Sequence, residues 1–398
     1  MNKKIKNCRV CSSPNLSPIS NFGNQYLTDF PDKINRKLPK CPLKLMFCDD
    51  CHLAQLEDTF ERDDIYRDYW YLSGVNDTMR NELEGIAKKA EEIVDLKDND
   101  IVLDIGSNDS TLLKAYTKKL RRVGFEPASN LIEKARGLGL TIINNYFNAK
   151  EFINIYGEEK AKVITAIAMF YDLDDPNSFV EDMKSVLDEN GVMIIQLNYT
   201  PTMVRLNAFD NVMHEHLEYY TFETLKYLFD KHNLDIFDVE LNDVNGGSIR
   251  LYVCNKGKRA IKKFEEDKKY NTIKEYKRFA RDSKKIIVNT VDFIEGEVNK
   301  DKKIYVYGAS SRGNTVLQAL KMNKILIESA VERNPMKWGK FTVGTWIPII
   351  SEEQARQEKP DYFLVLPWQF RVEIIEREKE YLNNGGKMIF MFPTFEII

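Results

Sequence analysis

The alternation of apolar and polar positions divides the chain into three regions. Residues 1–65 are rich in Cys, Pro, Asn and Asp and contain few long periodic stretches. Residues 66–255 alternate helical periodicity with short apolar runs, a pattern typical of βαβ units and a mostly parallel sheet. The strands predicted there are 101–105, 123–125, 163–168, 192–196, 236–241 and 248–253. Only the turn-rich stretch 242–247 separates the last two, so we expect an antiparallel hairpin at one end of the sheet.

The same α/β rhythm returns in the last third of the chain. Residues 256–303 are highly charged, lack Pro and have helical periodicity, which favours a solvated helical connector. The strands predicted beyond it are 304–307, 327–331, 362–366 and 388–392. The pattern therefore predicts an α/β protein with three domains, at residues 1–65, 66–255 and 256–398.

Length and charge narrow the possible functions. A chain of 398 residues is long enough for two or three cores. The net charge of −3 gives no overall basic field, so we expect no nucleic-acid partner. No apolar run reaches the roughly 18 residues that a membrane span needs, and the charged start has no apolar signal segment. We therefore expect a cytoplasmic protein without a membrane partner.

Two Cys-x-x-Cys pairs predict a structural zinc site. They are Cys8-Arg9-Val10-Cys11 and Cys48-Asp49-Asp50-Cys51, and together they offer a complete tetrahedral shell of thiolates. Both pairs lie in the region least able to fold by apolar burial alone. Four unligated core cysteines are the alternative. The remaining two, Cys41 and Cys254, are expected to be small buried side chains, and His52 is a less favoured ligand.

A strand, a tight turn and a helix start predict a cofactor loop at residues 102–113. Gly106 lets the backbone pass close to a ligand, and Asn108, Asp109 and Ser110 are candidate caps of the next helix. The loop has one glycine where a dinucleotide fingerprint has three. Asp104 can hold the ammonium of a methionine moiety, and Glu126 can accept both ribose hydroxyls. The pattern favours S-adenosylmethionine as the cofactor over an ordinary turn with a solvent-facing Glu126.

Two further sequences carry candidate site residues. Phe147 follows the third strand, where it could stack on adenine, with Asn145 as a hydrogen-bonding neighbour; a core aromatic is an equal alternative. The motif Met213-His214-Glu215-His216-Leu217-Glu218-Tyr219-Tyr220 places carboxylates beside histidines, which suits a general base near neutral pH. A polar helix start with satisfied histidines is the alternative interpretation.

The ordered set of motifs resembles a known family. Besides the cysteine pairs, the loop Leu103-Asp104-Ile105-Gly106-Ser107-Asn108-Asp109 and His214-Glu215-His216, it includes Asn245-Gly246-Gly247-Ser248 and Tyr307-Gly308-Ala309-Ser310-Ser311-Arg312-Gly313-Asn314. The chain is similar over its whole length to three-domain sugar C-methyltransferases that act on nucleotide-linked 4-keto-6-deoxysugars. The resemblance implies an N-terminal zinc domain, a class I methyltransferase core with a Rossmann-like sheet, a second Rossmann-like domain that helps hold the nucleotide sugar, and a monomer.

The resemblance also implies roles for residues. Glu215 and His216 match the catalytic pair, with His216 as the base, and Asp104, Gly106 and Glu126 match the cofactor site. The segment 69–76, which includes Tyr71 and Asn76, matches an aromatic stretch beside the cofactor. The chain departs from better-known dTDP-sugar members in three places. Met213 and Val75 replace tyrosines, and Met169-Phe170-Tyr171-Asp172 stands where those members have an active-site histidine.

These expectations define a reaction. His216, oriented by Glu215, would remove a proton from the carbon beside a ketone, C3 by preference over C5, and the enolate would take the methyl. Groups that could stabilise the ketone oxygen are Tyr219, Tyr220, Asn198 and Tyr199. Residues expected to contact the nucleotide sugar are Tyr199, Asn245, Ser310, Arg312, Glu332, Arg333 and Trp368, of which Ser310 and Arg312 lie at a helix start suited to phosphate.

Three other functions fit parts of the sequence. An O- or N-methyltransferase would share the cofactor site and need no ketone. A zinc-ribbon binding module with a degenerate methyltransferase core would lack a working cofactor site, against which the intact Asp104 and Glu126 argue. An NAD-dependent sugar enzyme would use the Gly308 loop, but that loop lacks a clear acidic partner on the next strand, although Glu332 comes close.

Overall fold

The structure, a computed structural model, describes residues 3–35, 37–75, 77–135, 139–266 and 268–398. Two small sheets form the N-terminal region. A four-stranded antiparallel sheet contains three of its strands, and a short two-stranded sheet contains the other two. The elements are β1 (Lys3–Lys4), β2 (Leu16–Tyr26), β3 (Lys40–Cys48), β4 (Ala54–Leu56), β5 (Asp58–Thr59) and α1 (Arg62–Tyr66).

The middle of the chain builds a seven-stranded sheet with helices on its faces. Its elements are α2 (Asp77–Ile93), β6 (Ile101–Ile105), α3 (Thr111–Ala115), β7 (Arg121–Phe125), α4 (Ser129–Ala135), β8 (Thr141–Ile143), α5 (Ala149–Tyr156), β9 (Ala161–Ile167), α6 (Pro176–Val186), β10 (Leu187–Asn198), α7 (Thr200–Arg205), β11 (Glu218–Tyr219), α8 (Phe222–Lys231), β12 (Leu234–Asn242) and β13 (Ser248–Asn255). The strand order is β12-β13-β10-β9-β6-β7-β8. All five residues of β6 are buried, as the centre of a sheet covered on both faces requires.

The sheet confirms the predicted topology. Strands β10, β9, β6, β7 and β8 are parallel to one another. At one end β12 and β13 form the expected antiparallel hairpin, and β13 is also antiparallel to β10. This is the mixed sheet of a class I methyltransferase core. Since the carboxyl ends of parallel strands meet at one edge, the turns after β6, β7 and β9 come together there.

The last region forms a second α/β domain around a six-stranded sheet of order β16-β15-β14-β17-β18-β19. Only β19 runs antiparallel to its neighbour. The elements are α9 (Ile273–Val298), β14 (Ile304–Tyr307), α10 (Ser311–Ala319), β15 (Ala330–Glu332), β16 (Ile349–Ser351), α11 (Glu352–Glu358), β17 (Tyr362–Val365), α12 (Arg371–Arg377), α13 (Lys379–Asn383), β18 (Lys387–Phe390) and β19 (Glu396–Ile397).

The prediction of a solvated connector at 256–303 was wrong in one respect. The α-helix begins only at Ile273, and its apolar stripe of Tyr276, Phe279, Ile286 and Ile294 is buried. These side chains belong to a core that also contains residues of β3 and of the C-terminal sheet. The charges that suggest a solvated helix occupy the opposite face, so α9 is an amphipathic helix that ties the domains together.

One strand of the N-terminal sheet comes from the middle of the chain. The two-residue strand β11 pairs with β4, with Glu218 opposite Gln55, so the sheet order is β11-β4-β3-β2. The amide of Leu56 extends this pairing by donating to the carbonyl of Leu217 at 2.9 Å. The segment that directly follows His216 is therefore part of the N-terminal sheet.

Candidate active site

The four predicted zinc ligands lie together. The Sγ atoms of Cys8, Cys11, Cys48 and Cys51 are all within 4.8 Å of one another, with Cys8–Cys51 and Cys11–Cys48 both at 3.5 Å. A tetrahedral site with Zn–S bonds of about 2.3 Å places its sulfurs about 3.8 Å apart, so the four thiols fit zinc. They would fill the shell of the ion, which makes it structural.

The two cysteine turns have the same backbone shape. The carbonyls of Cys8 and Cys48 each accept the amide four residues on, and those residues, Ser12 and His52, both have a φ of 64°. The His52 ring stacks on Phe47 instead of facing the thiols. The other two cysteines, Cys41 and Cys254, are fully buried, as expected.

A cavity of about 750 Å³ opens at the carboxyl edge of the seven-stranded sheet. All three regions of the chain line it: Phe60 and Ile65 from the first, Asp104 and Glu126 from the second, and Arg312 from the third. Such a size and a position at strand ends are typical of ligand sites in α/β proteins.

Two buried carboxyl groups mark the cofactor end of the cavity. Asp104 accepts a hydrogen bond from the Thr165 hydroxyl at 2.6 Å, and burial raises its pKa to about 7. Glu126 accepts from the amides of Asn108 and Ala128 at 2.7 and 2.8 Å, while burial raises its pKa. Within the described ranges neither carboxyl has a Lys or Arg partner. A cationic ligand such as S-adenosylmethionine would supply the missing charge.

The cofactor loop differs from the prediction in its polar side chains. Gly106 has a φ of 70°, which favours glycine, but Ser110 makes no capping hydrogen bond to α3. Instead, the side-chain oxygen of Asn108 accepts from the backbone amide of Ser73 at 3.0 Å, and its side-chain nitrogen donates to the Tyr71 carbonyl at 3.1 Å. Asn108 therefore lines the cavity, but its side chain is hydrogen-bonded to the backbone of Ser73 and Tyr71.

Residues 69–74, here called the aromatic strap, lie across the cofactor loop and are hydrogen-bonded to it. Besides the Asn108 contacts, Asp109 accepts from the Gly74 amide at 2.8 Å, and Asn130 exchanges two hydrogen bonds with the Tyr69 backbone. Tyr71 lines the cavity. Asn76, the other cofactor residue proposed in this stretch, lies outside the described residues.

The part of the cavity around Phe147, where adenine is expected, is aromatic. Phe147 lines it and packs edge-on against Phe125 and Phe179, with ring centroids at 5.2 and 5.7 Å. The Asn145 amide donates to Glu151 at 2.8 Å, and its oxygen accepts from the next backbone amide. Phe147 is therefore held in place by other aromatics, and Asn145 is committed to the protein.

His216 lines the cavity in one tautomer and one protonation state. Its Nδ1 lies 3.0 Å from the carbonyl oxygen of Asn211, and its ring packs on Tyr171 at 4.3 Å between centroids. Because a carbonyl only accepts, Nδ1 carries the proton and Nε2 has a free lone pair. Burial, followed by the positive charge of Arg312, lowers the pKa of His216 to about 3, so the ring is neutral at physiological pH.

Glu215, His214 and Tyr220 of the histidine motif do not line the cavity. Burial raises the pKa of Glu215 to about 7, and Glu215 does not line the cavity, so the Asn211 carbonyl and not Glu215 orients His216. His214 is buried edge-on against Phe60, and Tyr220 is buried against Phe170. Neither side chain lines the cavity, because the two residues pack into the cores on either side of β11.

Three of the predicted sugar contacts line the cavity: Asn245 before β13 of the seven-stranded sheet, and Ser310 and Arg312 of the C-terminal domain. Ser310 caps α10 by accepting from the Gly313 amide at 3.0 Å. The Arg312 guanidinium donates to Asp210 through Nε at 2.9 Å and to the Asn245 carbonyl at 2.8 Å. Its charge is therefore already balanced by a carboxylate of the methyltransferase domain.

Four other predicted contacts do not line the cavity. The Tyr199 hydroxyl donates to Glu266 at 2.9 Å, and Trp368 donates to Asp210 at 3.0 Å in the seam between domains. Glu332 accepts from two backbone amides after its own strand, and Arg333 is exposed beside Glu373. Positions at strand ends place a residue near the edge of the sheet, but they do not fix the direction of its side chain.

Sequence reasoning missed several residues that matter to the site. Tyr66 lines the cavity and donates to the Glu215 carbonyl at 2.9 Å, and the Asn211 carbonyl sets the tautomer of His216. The closely spaced tyrosines at 66, 69 and 71 in a polar stretch could have indicated that Tyr66 belongs to the site. A backbone carbonyl leaves no signal in the sequence.

Comparison with known proteins matches three domain families in chain order. A family model described as "Putative zinc binding domain" matches residues 8–66, one described as "Methyltransferase domain" matches 77–239, and one described as "C-methyltransferase C-terminal domain" matches 243–393. The chain is a three-domain S-adenosylmethionine-dependent methyltransferase. Its four-cysteine cluster and its class I core agree with the first two of these matches.

The methyltransferase has a curated relative along its whole length. C-methyltransferase NovU of Streptomyces niveus is 28% identical over an alignment of 413 positions, which covers 100% of this chain and 97% of the relative. Among solved structures, magnesium protoporphyrin IX methyltransferase of Synechocystis PCC 6803 is 9% identical with a TM-score of 0.34 over 44% of this chain and 79% of its own. A methyltransferase of Clostridium acetobutylicum is 14% identical with a TM-score of 0.34 over 46% and 94%.

None of the described helices of the methyltransferase is both long and apolar enough to cross a membrane.

Proposed function

We propose that this methyltransferase places a methyl group on a ring carbon, C3, beside the ketone of a nucleotide-linked 4-keto-6-deoxysugar. The similarity to NovU and the match to a C-methyltransferase C-terminal domain support transfer to carbon. The observation that carries the proposal is the free Nε2 of a neutral His216 in the cavity that also holds Asp104, Glu126 and Arg312. Carbon methylation needs a base for a C–H bond, and His216 is placed to be one.

Different residues of the chain would hold the cofactor, exclude water and remove the proton. S-adenosylmethionine supplies an electrophilic methyl group when bound. Asp104, Glu126 and Phe147 would hold it, and the aromatic strap would exclude water above it. His216 Nε2 removes the proton from the carbon beside the ketone; the C–H electrons form a carbon–carbon double bond, and the π electrons of the C=O bond move to the ketone oxygen. General base catalysis of this kind contributes about 10²–10⁴-fold.

The helix start at Ser310–Gly313 suits the diphosphate of a nucleotide sugar. Helix α10 begins there, and Ser310 and Ser311 line the cavity together with Pro367 and Phe370. The amides at a helix start favour anions through their dipoles. Because Arg312 is paired with Asp210, backbone amides are expected to supply most of the phosphate contacts.

We infer a cytoplasmic location, because the reducing cytoplasm suits the free thiols of the zinc site.

The test is mass spectrometry of the purified, zinc-loaded protein with S-adenosylmethionine and a panel of dTDP- and GDP-linked 4-keto-6-deoxysugars. We expect one sugar to gain one methyl group. In D₂O with S-adenosylhomocysteine, the same sugar should exchange hydrogen for deuterium at the carbon that is methylated. Methyl transfer to oxygen or nitrogen, without exchange at carbon, would replace this function with O- or N-methylation.

A matched pair of variants tests the base. His216→Asn should slow both exchange and transfer about 10²–10⁴-fold while S-adenosylhomocysteine binds with unchanged affinity. His232→Asn is the control, because His232 lies at the end of α8 beside Asn177, away from the cavity. Exchange at the wild-type rate in His216→Asn would remove His216 from the mechanism.

A further inference from the structure

The cavity contains a carboxyl group that the mechanism above does not use. Asp172 lies in the turn after β9, lines the cavity, and is held by its own amide, which donates to the Met169 carbonyl at 3.0 Å. Its Oδ1 atom is buried and has no hydrogen-bond partner among the described residues. A buried polar atom without a partner, on the wall of a ligand cavity, is a candidate for contact with the ligand.

The backbone fixes Asp172 close to the base. The carbonyl of its neighbour Tyr171 accepts the amides of Leu217 at 2.7 Å and Glu218 at 3.0 Å. The Tyr171 ring packs on the His216 ring. Two backbone hydrogen bonds and one ring contact therefore join the turn that carries Asp172 to the segment that carries His216.

The surroundings of Asp172 favour its neutral acid form. Burial raises its pKa well above the usual range of a carboxylic acid, and the charges of Glu218 and Glu215 raise it further. The nearby hydroxyl of Tyr66 opposes this shift, but that hydroxyl gives its single proton to the Glu215 carbonyl. Among the described residues, no Lys or Arg forms an ion pair with Asp172. A neutral carboxylic acid donates a hydrogen bond, which a carboxylate does not.

The other candidate donors are less well placed. The hydroxyls of Tyr199 and Tyr219 donate to Glu266 and to the Asn211 carbonyl, and Tyr220 is buried away from the cavity. Asn198 lines the cavity but already donates one amide hydrogen to the Asn211 side chain at 2.7 Å. Among these five side chains, Asp172 and Asn198 line the cavity, and of the two only the acid form of Asp172 can give up a whole proton.

We propose that Asp172 is a catalytic residue that donates a hydrogen bond, and then its proton, to the ketone oxygen of the substrate. The assignment rests on the function proposed above. As Nε2 of His216 takes the carbon-bound proton, the C–H electrons form a carbon–carbon double bond and the ketone oxygen takes the Asp172 proton. When the carbon bonds to the methyl group and the S–CH₃ bond breaks, the oxygen returns its proton to Asp172. The proton from carbon leaves on His216.

The experiment separates enol formation from methyl transfer. Full-length, zinc-loaded protein with S-adenosylhomocysteine and the active keto-sugar is placed in D₂O, and deuterium uptake at the ring carbon is followed by mass spectrometry. Loss of one preorganised donor typically costs about 10²–10³-fold. We expect Asp172→Ala to exchange that much more slowly and Asp172→Asn, which still donates from its amide, about tenfold more slowly. Sugar and S-adenosylhomocysteine affinities should stay within about threefold.

Three comparisons make the result decisive. Asp230→Asn, on the exposed face of α8 beside Lys226, is the matched control and should exchange like wild type. Wild-type exchange in Asp172→Ala, or a loss in Asn198→Ala that Asp172→Ala does not show, would overturn the assignment. Absence of exchange and transfer in the wild-type protein with every keto-sugar would instead remove the proposed function.

A second measurement covers an alanine variant that does not fold. Infrared difference spectra of the bound ketone should show its C=O stretch lowered in wild type, because a hydrogen bond from a carboxylic acid weakens that bond. The nearly isosteric Asp172→Asn should show a smaller shift. An identical C=O frequency in the two proteins would overturn the proposal without any need for the alanine variant.

Discussion

Asp210 joins two domains and stands next to the group that orients the base. Its side chain is 2% exposed, and Oδ2 accepts from Arg312 Nε at 2.9 Å and from Trp368 Nε1 at 3.0 Å. The next residue, Asn211, supplies the carbonyl that holds Nδ1 of His216. Contacts made by the C-terminal domain therefore help to fix the position of His216, the proposed base.

Replacing Asp210 with Leu should destabilise the protein strongly. The Arg312 side chain is 16% exposed and would keep only the Asn245 carbonyl as a partner. Removing one member of a buried ion pair costs about 3–5 kcal/mol. With an unfolding entropy of about 2.1 cal/mol/K per residue, that loss lowers the melting temperature of the 398-residue chain by about 4–6 °C.

Two control variants isolate the charge. Asp210→Asn keeps the shape and one acceptor oxygen, so it should lose about 1–2 kcal/mol, close to the value of single hydrogen bonds. The double variant Asp210→Leu with Arg312→Met removes both charges and should regain most of the stability, because paired apolar replacements of buried ion pairs are often neutral. Differential scanning calorimetry at fixed pH and salt measures all three against wild type.

The same variants report on catalysis through deuterium exchange of the keto-sugar. Asp210→Leu should slow exchange at least tenfold at a temperature where it is folded, since its backbone no longer fixes the Asn211 carbonyl. A melting temperature within 1 °C of wild type for Asp210→Leu, or a double variant as unstable as the single one, would refute the argument that an unpaired guanidinium is the cause.

Three further perturbations have defined outcomes. Zinc removal by a chelator should abolish more than 90% of deuterium exchange, because β11, directly after His216, belongs to the sheet that the zinc site anchors; full exchange in protein shown to be zinc-free would contradict this. Glu126→Ala should weaken S-adenosylhomocysteine binding about 10–150-fold by calorimetry, the equivalent of 1.5–3 kcal/mol for hydrogen bonds to a charged group, and unchanged affinity would exclude Glu126 from the site. Burial lowers the pKa of His214 to about 4. Between pH 7.5 and 5.5 the His214 side chain therefore gains a proton in the unfolded chain but stays neutral in the folded protein. Wild type should thereby lose about 1.3 kcal/mol more stability over that range than His214→Phe in urea unfolding, and equal losses would show that His214 is protonated in the folded state.

Periodicity predicted the two large sheets because buried parallel strands are continuous apolar runs, and every one of the ten predicted strands overlaps an observed one. The same logic placed Asp104 and Glu126 at one edge, where the structure has both on the cavity wall. It could not show that β11 joins the zinc sheet, since a two-residue strand has no period and its partner β4 lies about 160 residues earlier. It also could not orient Tyr199, Tyr220 or His214, whose directions depend on cores formed by distant segments.

The charge distribution of the cavity explains why one enzyme would combine three domains. A carbon acid needs a neutral base, and His216 stays neutral because it is buried and faces the positive charge of Arg312 from the C-terminal domain. An enol oxygen needs an acid, and Asp172 is kept in its acid form by burial and by Glu215 and Glu218, which the pairing with the zinc sheet holds near it. Packing of the zinc domain and of the C-terminal domain against the core would therefore help the proposed base and acid to coexist within one cavity at neutral pH.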